Sequence, residues 1–147
     1  MSGRHTGRGR LGSVAAAIRY AYLDTSAFVK LCWPEPETVA LTAYLQSWPL
    51  RVSSALLLTE ALRAAQGQPV PRVTRVQSAL RRIALIDVDR ALFRQAGLLL
   101  PPQLRSLDSI HLAAAYSLGP DLGVVVAYDQ RMLTAAQQQG LPVASPI

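Results

Sequence analysis

A chain of 147 residues, half of them hydrophobic and 16% charged, suits one ordered domain that buries its own core. No apolar run approaches the roughly 18 residues of a membrane-spanning helix, and a single cysteine, Cys32, excludes a disulfide framework or a multi-cysteine zinc site, so a soluble, cytoplasmic protein is expected. The net charge of +6 argues little for nucleic acid, because Arg4, Arg8, Arg10 and Arg19 supply four of the six and the rest of the chain is close to balanced.

Residues 1–18 are rich in Gly, Ser and Arg and end in an apolar patch too short for the core of a signal peptide. They read as a flexible basic tail or as a start codon set too far upstream, and the folded domain runs over 19–147. Its first strand covers the apolar run 19–23, and a helix covers 25–33, stopped by Pro34 and Pro36. A second helix is predicted over 37–48. Trp33 and Trp48, near the ends of these helices, are placed to line an apolar groove where a partner helix or second subunit docks. A strand over 50–53 hands over to a helix over 55–66, ended by Gly67. Next come a helix over 72–83, a strand over 84–88 and a helix from Asp89 to Leu100, closed by Pro101 and Pro102. A helix over 106–119, a strand over 123–128, a helix over 130–140 and a short segment over 141–145 complete the chain. Short apolar strands alternating with helices predict an α/β fold, a single domain whose central parallel sheet carries helices on both faces. There is no Gly-rich phosphate loop, which demotes nucleotide cofactors.

The nine acids sort by whether a bland role explains them. Glu35 and Glu37 fall in a Pro-rich connection and read as solvated, Asp87 and Asp89 read as caps, and Asp121 as a turn residue. Asp24 and Asp129 each follow a strand and precede a helix. Either alone is a good N-cap, but ligands of open parallel sheets bind beyond the carboxyl ends of strands, where two such acids can meet. Asp108 lies in the first turn of an almost wholly apolar helix, and a carboxylate there is costly unless paired or bound to a cation. Glu60, in mid-helix, reads from periodicity as solvated and gains weight only from the other three. Four carboxylates without free His or Cys ligands suit a hard cation, magnesium or manganese, and metal-assisted phosphodiester hydrolysis.

The stretches 22-YLDTSAFVKL-31, 59-TEALRA-64, 105-RSLDSIHLAAA-115 and 127-AYDQRM-132 resemble, in order, the four motifs of PIN-domain ribonucleases, specifically toxins of the bacterial VapC type. The resemblance runs from about Tyr20 to the C-terminus. It implies a PIN-like fold with an acidic Mg2+ site (Mn2+ as a substitute) and an endoribonuclease that cuts structured cellular RNA such as tRNA or rRNA. It also implies growth arrest, a small cognate VapB-type antitoxin and a homodimer. Asp24, Glu60, Asp108 and Asp129 would then be the catalytic, metal-binding acids. Ser26, with Thr25 beside it, would order that site, and Arg105 would meet substrate phosphate. Ala127 departs from the pattern, since many relatives carry Thr or Ser there.

His111, one turn beyond Asp108, is expected to satisfy a buried hydrogen bond rather than act as a base. Aspartyl-phosphate phosphatases also begin from an acid after a first strand, but they need a second acid where this chain has Ser26. The remaining alternative is a catalytically degenerate PIN module that binds RNA or antitoxin without cutting.

Overall fold

In a computed structural model, which describes residues 18–147, the strands are β1 (Tyr20–Leu23), β2 (Arg51–Ser54), β3 (Ala84–Ile86), β4 (Leu122–Val126) and β5 (Val143–Ala144). Four of the five strands are short apolar runs, and β1 and β3 end directly at an acid, Asp24 and Asp87; β2 carries one arginine and two serines. The helices are α1 (Thr25–Cys32), α2 (Thr38–Leu45), α3 (Leu56–Ala65), α4 (Val70–Leu80), α5 (Arg90–Leu98), α6 (Ser106–Ser117) and α7 (Gln130–Gln138). The tail expected over 1–18 falls almost wholly outside the described residues.

All five strands are parallel, in the order β3-β2-β1-β4-β5. The chain steps outward from β1 to β3, then crosses back to β4 on the other side of β1. Right-handed crossovers therefore put α1 to α4 on one face and α5 to α7 on the other. Alternation along the strands serves both layers. Ala21, Leu23, Val124 and Val126 pack with Ala27, Leu41 and Leu45 of α1 and α2, whereas Tyr22, Val52 and Val125 pack with Leu92, Leu112 and Met132 of α5, α6 and α7. A third cluster, with Phe28, Leu57, Ala61 and Val76, joins α1, α3 and α4.

The predicted elements are present with shifted ends. Helix α4 begins before Pro71, because proline is tolerated in a first helical turn that needs no N–H partner. Strand β4 stops at Val126, so Ala127 and Tyr128 form a link to α7. Glu35 and Glu37 are not merely solvated. Both pair with Lys30, at 2.7 and 2.9 Å, and so fold the Pro-rich connection back on α1.

The tryptophans also depart from expectation, since both are absorbed by the fold. The buried Trp33 ring donates its N–H to Glu35 at 3.1 Å and lies under the Arg72 guanidinium. Trp48 covers the backbone of Gly123 in β4, where any Cβ would overlap its ring. Gly123→Ala should therefore cost about 1–3 kcal/mol through overpacking. Gly97→Ala, in α5 with nothing near its missing Cβ, should gain about 0.5–1 kcal/mol. Urea unfolding of the two variants side by side checks this, and equal midpoints would refute the packing account.

Candidate active site

Strands β1 and β4 are the neighbours at which the strand order reverses, and their carboxyl ends carry Asp24 and Asp129. Asp24 is buried and caps α1, its Oδ1 accepting the Ala27 N–H at 3.0 Å and the Ser26 hydroxyl at 2.6 Å. Asp129 caps α7, its Oδ1 accepting the N–H groups of Arg131 and Met132 at 2.8 and 3.1 Å. Ser26 Oγ also accepts the Tyr128 N–H at 3.0 Å, which ties the link after β4 to the start of α1. Ala127, where a hydroxyl is missing, is wholly buried, and Ser26 supplies the side-chain contact to that link.

Glu60 corrects the reading from periodicity. It is half-buried, and its Oε1 accepts from the Thr25 hydroxyl at 2.7 Å and lies 2.6 Å from His111 Nε2. His111 itself is buried on α6, with Nδ1 2.7 Å from the Tyr22 hydroxyl. The sequence pointed to a structural histidine; what it did not reveal is that the partner is one of the four acids. Asp108, in the first turn of α6, is partly buried and makes no side-chain hydrogen bond among the described residues. Arg105 stands exposed at the N-cap of the same helix.

The acids feel one another. Burial, with the charge of Asp108 adding to it, pushes the Asp24 carboxyl up to about 6 despite the pull of Ser26, Ala27 and His111. Asp108 is likewise raised, first by burial and then by Asp129 and Glu60, against the opposing charges of His111 and Arg105. For Glu60, burial pushes up but the His111 and Thr25 contacts outweigh it, so its carboxyl lies below the usual range.

Among the described residues no three His, Cys, Asp or Glu side chains stand close enough together to grip one ion directly. Magnesium does not require that, since it keeps several waters and takes one or two carboxylates. The donor chemistry fits such an ion. Asp24, Glu60 and Asp129 each commit one oxygen to the protein and make no hydrogen bond with the other, and Asp108 commits neither. Among the described residues the one imidazole at the site, His111, is already engaged at both nitrogens. An all-oxygen set in which Asp24 and Asp108 are held above their ordinary pKa is what a hard cation would relieve.

Comparison with known proteins agrees with this layout. The PIN domain family matches residues 21–137. Ribonuclease VapC46 of Mycobacterium tuberculosis is 46% identical over 127 residues, covering 85% of this chain and 96% of that protein. Ribonuclease VapC35 of the same species is 36% identical over 132 residues with the same coverage. Among solved structures, M. tuberculosis VapC20, described as a Sarcin-Ricin loop cleaving toxin, superposes with a TM-score of 0.65 at 18% identity, covering 78% of this chain and 94% of that one. A toxin-antitoxin complex from Klebsiella pneumoniae gives 0.66 at 21% identity, covering 86% and 98%. At such identities these structures speak for the fold, whereas the match along the sequence speaks for kinship. This chain belongs to the PIN-domain family and, within it, to the VapC ribonucleases.

Proposed function

We propose that the chain is a magnesium-dependent endoribonuclease, the toxin of a toxin-antitoxin pair, cutting structured cellular RNA such as tRNA or rRNA in the cytoplasm to arrest translation and growth. The observation that carries the reading is the mutual influence of carboxylates from four different elements: on top of burial, Asp108 raises the pKa of Asp24 and is itself raised by Asp129 and Glu60, and among the described residues each of the four keeps an oxygen without a hydrogen bond. A bound Mg2+ or Mn2+ supplies Lewis-acid polarisation of the scissile phosphate and a water of lowered pKa. Asp24, Glu60, Asp108 and Asp129 would hold it. Ser26 and the Ala27 N–H keep Asp24 aimed, Thr25 restrains Glu60, and the exposed Arg105 meets a substrate phosphate beside Asp108. A PIN module that binds RNA without cutting is the second reading. Ala127 is the one observation in its favour.

The antitoxin reading has its own support. A pocket of about 420 Å³ between α1, α2 and α4 has an apolar floor that includes Phe28, Leu31 and Ile83, and it is lined by Arg51, Arg75 and Arg82. An apolar segment with acidic flanks suits it. Exposed Phe93 and Leu98 on α5, with Leu100 just beyond it, offer apolar surface to a second copy of the chain. No described helix is long and apolar enough to cross a membrane.

Incubated with total bacterial RNA, the purified chain should give discrete cleavage with Mg2+ that EDTA abolishes. Asp24→Asn and Asp108→Asn should each lower the rate at least about a hundredfold, the loss of several kcal/mol of charge stabilisation, while circular dichroism and antitoxin binding stay unchanged. Absence of cleavage by the folded, antitoxin-free chain across several RNAs would favour the binding-only module.

The raised Asp24 pKa has a definite sign for stability. Its neutral form is favoured in the folded state, so the stabilisation is complete below the ordinary value of 3.8 and is lost as pH rises through about 6. Metal-free protein should lose up to about 3 kcal/mol across that window. Asp24→Asn should flatten the fall, and added Mg2+ should offset it near neutral pH, both readable by thermal unfolding. For the partner, Arg75→Glu with Arg82→Glu should weaken antitoxin binding about tenfold or more by calorimetry, as unpaired like charges at an interface do, without altering RNA cleavage by the free chain.

A further inference from the structure

Two buried polar groups take no direct part in the chemistry above, yet they are joined to it by short hydrogen bonds. Tyr22 on β1 and His111 on α6 lie in the layer of α5 to α7, whereas Glu60 and Thr25 lie on α3 and α1 across the sheet. They meet over the carboxyl ends of β1 and β2. His111 Nε2 is 2.6 Å from Glu60 Oε1, so that nitrogen must carry a proton, since two lone pairs at that distance would repel. Nδ1, on the other side of the ring, lies 2.7 Å from the Tyr22 hydroxyl, so the two hydrogen bonds hold the imidazole between phenol and carboxylate. Ser53 and Ser54 of β2 are the other polar groups that face the phenol. Their buried hydroxyls reach hydrogen-bond geometry with nothing among the described residues.

Glu60 needs this bracing more than the other acids do. Asp24 and Asp129 are short side chains fixed by backbone N–H groups of the helices they cap. Glu60 sits in mid-helix, where no free backbone N–H exists, and its side chain has one more rotatable bond to order. Among the described residues only Thr25 and His111 hold it, both on Oε1, and none makes a hydrogen bond to Oε2.

We infer that Tyr22 and His111 are positioning residues for the metal site: the phenol holds the imidazole ring in place, and the imidazole N–H fixes Glu60 so that its other oxygen faces the cation. This rests on the metal reading given above. It goes beyond that reading by assigning to a buried Tyr-His pair, on the far side of the sheet, a share of the affinity for the ion. The logic is that of hydrogen-bonded ligands in metal centres generally, where loss of the outer partner weakens metal binding 10- to 100-fold.

The test reads metal uptake directly, without RNA. Free Mn2+ is titrated by electron paramagnetic resonance into the full chain and its variants, each checked for folding by thermal unfolding in EDTA. His111→Ala should weaken Mn2+ binding 10- to 100-fold, and Tyr22→Phe should weaken it in the same direction by less. His111→Gln, whose amide can still donate toward Glu60, should recover most of the affinity. In a Glu60→Gln background, His111→Ala should add nothing, because the group it positions is gone. Unchanged Mn2+ affinity in folded His111→Ala or Tyr22→Phe protein would overturn the assignment, as would full additivity with Glu60→Gln. If the wild-type chain takes up no Mn2+, the metal reading fails and this inference fails with it; if it binds Mn2+ but cuts no RNA, the assignment is still decided by the variants.

Discussion

Carboxylates gathered in a half-buried space repel one another and lose hydration, and the site depends on how that cost is met. Helix N-termini meet part of it, since Asp24 and Asp129 accept backbone N–H groups at the positive ends of α1 and α7. The hydroxyls of Ser26 and Thr25 and the His111 imidazole meet more. What is left over shows as raised carboxyl pKa values at Asp24 and Asp108. The residual strain is a store of affinity for a cation, because a positive charge relieves desolvation and repulsion together.

The parallel sheet makes this concentration possible. Every strand delivers its carboxyl end to the same edge, and the reversal of order beside β1 opens a gap between neighbouring crossovers there. With α1 to α4 on one face and α5 to α7 on the other, acids from both layers reach the same edge. Glu60 comes from one layer and Asp108 from the other, and they influence each other over the strand ends.

Much of this was legible before any coordinates. Apolar runs such as Tyr20–Leu23 end in a capping acid, so both the strand and the start of α1 can be read from a few letters. The carboxylates at Asp24 and Asp129 follow from the same rule. Glu60 was marked by the motif 59-TEALRA-64, but its environment was not legible, because periodicity places it beside polar neighbours while its actual surroundings are set by His111, 51 residues along the chain. The roles of the tryptophans were hidden for a similar reason: Trp48 is defined by Gly123 and Trp33 by Arg72, and neither pairing leaves a local pattern. Local signals mark where an element starts and which face is apolar, whereas side-chain partners far apart in sequence are decided by topology.

The hydroxyl of Ser26 reaches across 102 positions to the backbone of Tyr128, and β1 must pair with β4 for that contact to exist. The order of synthesis therefore matters. A nascent chain that has emerged as far as α6 already carries Asp24, Glu60 and Asp108, but it has no β4 to seat beside β1 and no Asp129. The acid cluster closes only when nearly the whole polypeptide has left the ribosome. Such late assembly keeps any activity that depends on all four acids unformed until synthesis is nearly complete.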